Sequence, residues 1–417
     1  MNHLQNKSHF LNVSLFLSIF FYSLFGLLFS IYSVNFFRIP QTVALIGFII
    51  VSIYFVKQYL QSSKKILFTV FIVCQLFIVV RINNINLESL RVILFDPLHF
   101  CSYLIPFVIF LPVRLSSLKE ILRNLFLFSL IFILLHLYLI YQYPINNFTD
   151  IIVISSLAPV GIILLLARYT NKKIVFLSFL IVLTILIIGL VYGRRSVVVN
   201  ASLFFLFFFN INVLGNDKIR FEFKALSVLF GILAIVYLIN YFIGNVNANN
   251  FEIFNRLDED SRSDVFEAFI KDFDFSDYLV GRGIDGAYYN PIKYWNFSND
   301  DYREVNYRTN IESGFLYMIM KGGLIYLVTF LLILLRAMYM GFFKSKNSLL
   351  KGLAAYLLIY FFDMFVYGQP TFSIKYCLVW ISISVCLSKK MLSMNEKKLL
   401  EFIKPTKHIL THKKNNF

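Results

Sequence analysis

Apolar runs of about 18 residues or more return repeatedly along this chain, and each is long enough to cross about 30 Å of hydrocarbon. Inside a bilayer no water is at hand to satisfy backbone amides and carbonyls, so such runs must be helical. Composition supports this reading. Hydrophobic residues make up 59% of the 417 residues and charged residues only 15%, against about 25% charged in a soluble domain. One aqueous core cannot hide that excess. The chain is therefore expected to be an all-α, polytopic integral membrane protein of about twelve helices. Spans are predicted at 12–34, 42–58, 66–81, 97–113, 120–141, 151–168, 174–192, 196–214, 225–243, 315–341, 349–367 and 371–388. Pro97, Pro106 and Pro112 interrupt the fourth, which is expected to be kinked or re-entrant. The first run, Leu11 to Val34, is too long for a signal h-region and lacks a small-residue cleavage site, so it is expected to stay as the first helix.

A net charge of +16 would suit a nucleic-acid partner, but its distribution argues against one. The basic residues gather in alternate short links: Lys57, Lys64 and Lys65; Arg114, Lys119 and Arg123; Arg168, Lys172 and Lys173; Lys218, Arg220 and Lys224; Lys344, Lys346 and Lys351. That is the positive-inside pattern. The tail after Ser388 carries eight lysines and two glutamates. It joins the same side, next to anionic lipid, so both termini are expected to be cytoplasmic. Cys74, Cys101, Cys377 and Cys386 show no CxxC spacing, and the six histidines are scattered. Neither a disulfide framework nor a metal site is indicated, and no cofactor is expected.

The chain divides into nine spans (1–243), a large external loop (244–312), three further spans (313–388) and the basic tail (389–417). The loop holds 14 of the 23 acidic residues, against seven basic ones. Ser261 or Ser263 can cap a helix there, with Asp264 and Glu267 in its first turn. Its apolar face is Val265, Phe266, Phe269 and Phe273, suited to the membrane surface or to packing on the helices.

Three groups of residues can carry chemistry. The first is the Gly193-Arg194-Arg195-Ser196 turn, where two arginines stand on the external side against the general charge trend. Arginines at a helix N-terminus suit a diphosphate, and the competing reading is an interfacial pair that snorkels. The second is the loop helix opening at Arg262 and closing on Gly281-Arg282-Gly283, a tight turn expected to leave its backbone accessible. The third is Glu312, where the loop meets the tenth span. A carboxylate there either complements the helix dipole or serves as a general base for a hydroxyl nucleophile. Arg303 and Arg308 add positive charge nearby. Lys321, Gly322 and Gly323 then interrupt the helix and are expected to leave its first turns in the interface. Asp363 and Lys375 are expected to pair across a short hairpin within the bilayer. Arg81, Arg91 and His136 lie towards the external side, and His99 has no assigned role.

The order of these features resembles the O-antigen polymerase and O-antigen ligase superfamily. It runs from an arginine turn after a mid-chain span, through an external loop opening on arginine and a Gly-x-Gly turn, to a glycine-interrupted span. The resemblance implies a GT-C-like membrane glycosyltransferase in the bacterial cytoplasmic membrane. Arg195 matches the family's turn arginine, Arg262 the arginine opening the loop, and Gly281 and Gly283 the Gly-x-Gly turn. Glu312 and Ser313 fall where the ligases carry a His-Asn pair, and residues 244–312 contain no histidine. Arg303 and Gly314 have a spacing of the polymerase kind. These points favour a Wzy-type polymerase acting on polyprenyl-diphosphate-linked oligosaccharides as donor and acceptor, in O-antigen, capsule or exopolysaccharide synthesis. On this reading Glu312, Arg195 and Arg262 are catalytic, while Arg194, Arg303, Arg308, Gly281, Arg282 and Gly283 bind substrate. A flippase and a chain-length regulator are the expected partners. The alternatives are a ligase and a polysaccharide flippase. A flippase would not require the large external loop.

Overall fold

The computed structural model describes residues 2–32, 35–60, 66–82, 100–110, 118–142, 149–191, 194–214, 261–290, 307–311, 313–366 and 368–403. The span expected at 225–243 lies outside them, as do Arg91, His99, Arg303 and Glu312. The side chains of Arg195 and Arg262 also lie outside the description.

The regular structure among the described residues is helical but for one two-stranded ladder. In chain order the helices are α1 (Asn2–Tyr32), α2 (Arg38–Leu60), α3 (Ile66–Val80), α4 (Phe100–Leu104), α5 (Leu118–Gln142), α6 (Thr149–Leu165), α7 (Lys172–Val191) and α8 (Arg195–Phe208). The insert contributes α9 (Ser261–Asp272), α10 (Phe275–Val280) and the strands β1 (Tyr288–Tyr289) and β2 (Tyr307–Arg308). After it come α11 (Gly314–Tyr339), α12 (Ser348–Asp363), α13 (Ile374–Cys386), α14 (Lys389–Ser393) and α15 (Glu396–Ile403). Of the fourth span, expected to be kinked or re-entrant, the described part is α4 and a 3-10 segment, Ile105–Phe110, continuing from it.

Four helical stretches are long and apolar enough to cross a membrane: Arg38–Lys57, Ile121–Leu139, Lys172–Val191 and Gly314–Lys344. Shorter apolar helices stand beside them, among them Ile66–Val80, Ser156–Leu165 and Ile374–Cys386. Their surfaces identify the solvent. On α2, Phe48 and Phe55 are fully buried, while Val43, Ile46, Ile50 and Ile53 form a second apolar stripe that is more than half exposed. On α7, Val182 and Ile185 face inward and Phe176, Leu180 and Ile187 outward. A water-facing helix would put polar residues on that outer face; apolar residues on both faces require lipid. The chain is a multi-pass membrane protein.

Helix α6 forms the centre, packing on α5, α7, α8, α12 and α13. Its residues Val160, Ile163 and Leu164 are wholly buried. At one pole of the bundle the links 165–172, 344–348 and 388–396 meet. There Glu396 accepts from Tyr169 Oη (2.7 Å), Ser348 Oγ (2.9 Å) and Ser348 N (2.8 Å), which puts negative charge at the α12 N-terminus. Asn347 also caps α12, accepting from Leu350 N at 3.0 Å. These are three of the links that carry lysine and arginine clusters. At the opposite pole lie the start of α8, the insert, the start of α11 and the hairpin between α12 and α13.

A candidate active site at the insert-bearing pole

The insert is held by a small aromatic core. Phe269 stacks on Phe273 with ring centroids 4.1 Å apart and meets Tyr288 edge-on at 5.6 Å. Val265, Phe269 and Phe273 are buried, so the apolar face foreseen on α9 packs inside the insert. Strand β1 pairs antiparallel with β2, Tyr288 opposite Arg308. This brings the chain back to the insert just before Glu312.

The Gly281-Arg282-Gly283 turn docks on a break in α11. Gly281 (φ 70°, ψ −174°) and Gly323 (φ 70°, ψ −175°) both occupy a backbone region that is essentially closed to other residues. Each makes room for the other's segment. A Cβ on Gly281 would stand 2.5 Å from Gly322 N, and one on Gly323 only 2.1 Å from Leu279 O. The break at Gly323 also leaves carbonyls of the preceding turn without their usual helical donors. Arg282 N donates to Met320 O (2.8 Å) and Gly283 N to Lys321 O (3.0 Å), while Ile284 N donates to Ile78 O on α3 (3.1 Å). Two cations hold the carbonyls of the same turn. Arg81 Nη1 donates to Gly281 O at 2.6 Å, and the fully buried Lys321 donates through Nζ to Ile284 O and Gly286 O, both at 2.9 Å.

The turn is therefore a docking element. The expected accessible backbone is absent, because the amides of residues 282–284 already bond to α11 and α3. The Arg282 guanidinium is likewise engaged inside the insert. Its Nε donates to Asp277 Oδ2 (2.7 Å), its Nη1 to Ala287 O (2.7 Å) and to Asp272, and its Nη2 to Asp272 O (2.5 Å). Its carbon lies 4.2 Å above the Phe273 ring. Burial works to lower the Arg282 pKa, but the hydrogen bonds and charges of Asp277 and Asp272 outweigh it and raise the value.

The run Gly314–Lys344 comprises 31 residues, which at 1.5 Å each is about 46 Å, more than the roughly 30 Å of hydrocarbon. The part after the break, 324–344, is about 31 Å long and suffices to cross. Length alone therefore does not require the first turns of α11, where the insert turn docks, to lie within the hydrocarbon.

The segment around Glu312 is fixed on both sides. Gln369 Nε2 donates to Ile311 O. Gly314 N donates to Met364 O at 2.8 Å and Ser313 Oγ to the same carbonyl at 3.4 Å. Gly314 has to be glycine here, since a Cβ would lie 2.4 Å from Gly368 O. The hairpin that supplies these partners begins at Asp363, which accepts from Lys375 Nζ as expected, and also from Asn200 Nδ2. Asn200 is on α8, little more than a turn beyond Arg195. Arg194 is the residue before α8; its N–H donates to Gly189 O (2.8 Å), and its carbonyl accepts from Val197 N and Val198 N (3.1 and 3.2 Å). The helix that begins with Arg195 and the residues flanking Glu312, 117 positions apart in the chain, thus reach the same hairpin, Asn200 through the Asp363 carboxylate and Ile311, Ser313 and Gly314 through Gln369 and the Met364 carbonyl. The sequence reading missed Asn200 and Gln369. The available signal was an amide side chain within an apolar run and another in the Gly368-Gln369-Pro370 hairpin.

His136 is buried in α5. Arg308 sits on β2, about half-buried. Among the described residues no group of acidic, histidine and cysteine side chains could hold a metal ion.

Residues 136–316 match the family model described as O-antigen polysaccharide polymerase Wzy. The matched stretch runs from α5 to the first turn of α11. It contains every residue singled out from the sequence as catalytic or substrate-binding, so the resemblance drawn from motif order holds for the segment that carries the motifs. No curated protein and no solved structure matches the chain.

Proposed function

We propose, with the Wzy polymerase match as premise, that this protein joins polyprenyl-diphosphate-linked oligosaccharide repeat units at the outer face of the bacterial cytoplasmic membrane. A hydroxyl of one lipid-linked unit attacks the anomeric carbon of another. The new glycosidic C–O bond forms as the bond to the diphosphate breaks, and the polyprenyl diphosphate leaves with the electron pair. The hydroxyl proton passes to a general base.

Glu312 is assigned as that base, and Arg195 and Arg262 as the groups that hold the departing diphosphate. A guanidinium offers a planar fork that matches phosphate oxygens, and preorganised positive charge acts where negative charge develops. Arg194, Arg303 and Arg308 supply further positive charge. Gly281, Arg282 and Gly283 act through position, by tying the insert to α11. The carrying observation is that α8, which begins with Arg195, and the residues flanking Glu312 converge on Asp363 and the hairpin after it. That is the interfacial end of α11, where the head group of a lipid-linked substrate lies.

Deletion of the gene, followed by gel analysis of surface polysaccharide, tests the reading. Loss of long chains with a single repeat unit retained is the polymerase result. Complete loss of attached units indicates a ligase or flippase and overturns it.

A further inference from the structure

Asp363 is buried, with 2% of its side chain exposed, and Lys375 is nearly so at 15%. An ion pair within an apolar bundle is expensive to desolvate and is weak evidence for stability; a polar residue at such depth marks function by default. The partners of Asp363 indicate what the pair does. One carboxylate oxygen takes Asn200 of α8 and the other takes Lys375 of α13. Its backbone carbonyl accepts from Val366 N (2.9 Å) and Gly368 N (2.7 Å), shaping the hairpin that binds Ile311, Ser313 and Gly314. Lys375 is itself tied back to α12, where Tyr356 Oη donates to its carbonyl at 2.8 Å. A cavity of about 30 Å³ lies among Ser196, Asn200, Asp363 and Lys375, so the residue following Arg195 faces the same polar cluster.

We propose that Asp363, acting through Asn200 and Lys375, is the positioning residue of the polymerisation site. It sets the separation between the arginine turn at the start of α8 and the Glu312 segment. The assignment rests on the polymerase reading. Both segments are loop-to-helix junctions, and the helices they open, α8 and α11, both pack against α12. Asp363 is the group that touches α8 directly and the Glu312 segment through a single hairpin.

Membrane vesicles carrying the full chain, supplied with lipid-linked repeat units, provide the test. Asn200→Ala cuts the tie to α8 but keeps the ion pair. Asp363→Leu with Lys375→Met removes both charges together, an exchange that buried pairs often tolerate without loss of stability. At matched membrane level, each variant should lower the maximal polymerisation rate about 10- to 100-fold, the scale of a misplacement of about 1 Å. The half-saturating substrate concentration should stay within about 2-fold, because the substrate-holding groups remain. A normal rate per molecule in Asn200→Ala overturns the positioning role, whether its protein level is normal or reduced. A shift in half-saturation with an unchanged maximal rate also overturns it. If wild-type vesicles themselves form no polymer, the polymerase reading falls and takes the positioning role with it.

Discussion

Arg282 gives its donors to Asp272, Asp277 and Ala287, so it serves the insert. Its removal would leave two carboxylates without their cation. Arg282→Ala is expected to destabilise the insert by about 1–3 kcal/mol, the range for hydrogen bonds to charged groups less the screening at a partly exposed site. The check is faster proteolytic cleavage between residues 261 and 290 in intact vesicles. Arg195 and Arg262 are assigned to the diphosphate, where Lys offers a point charge without a fork. Arg195→Lys and Arg262→Lys are therefore expected to insert normally and to lose most polymerisation; near-normal chain lengths in both would remove them from the site. For Glu312, loss of proton acceptance should lower the rate about 10²- to 10⁴-fold. Glu312→Gln should give inserted protein with little polymer, and Glu312→Asp should keep part of the activity. A carboxylate that merely complements the helix N-terminus contributes about 0.3–1 kcal/mol, so in that case Gln would leave chain length intact.

At the scale of elements, the decisive feature is the broken α11. An unbroken helix would satisfy its own carbonyls and offer nothing to the insert. The break at Gly323 frees them for the amides of residues 282 and 283, so two irregular segments complete each other's hydrogen bonding close to lipid. Such backbone is tolerated at membrane depth only where protein covers it. Gly323→Ala would pay about 1–3 kcal/mol for its backbone region alone and would drive a methyl into Leu279 O. We expect a lower Tm in detergent and an insert that is cleaved more readily. An unchanged Tm would mean that α11 had straightened without cost. Gly281→Ala should produce the same phenotype, since it strains the same interface from the other side.

For the whole molecule, the two poles carry different chemistry. The pole with Tyr169, Ser348 and Glu396 gathers the basic links at 165–172, 344–348 and 388–396, and the pole with Asp363 gathers the described part of the insert. By the positive-inside rule the first pole is expected on the cytoplasmic side. Reporters fused after residues 60 and 395 should then read as cytoplasmic, and a tag near Asn299 as external. A cytoplasmic signal from Asn299 would sink the topology and the chemistry proposed on it.

Membrane residence and helical class follow from local pattern, because bilayer thickness and backbone desolvation act on every run of residues independently. The Asp363–Lys375 pair was also legible, as opposite charges across a short hairpin. The function of Gly281-Arg282-Gly283 was not. A glycine turn that receives a phosphate and one that receives a broken helix have the same sequence, and only the partner 40 residues on, at 321–323, separates them. Nor could Asn200 be connected with Asp363, 163 residues away. That contact exists because α8 and α12 both pack on α6, and the packing of buried helices depends on side-chain shape summed over many residues. Periodicity shows which face of a helix is apolar, but it does not show which helix will lie against that face.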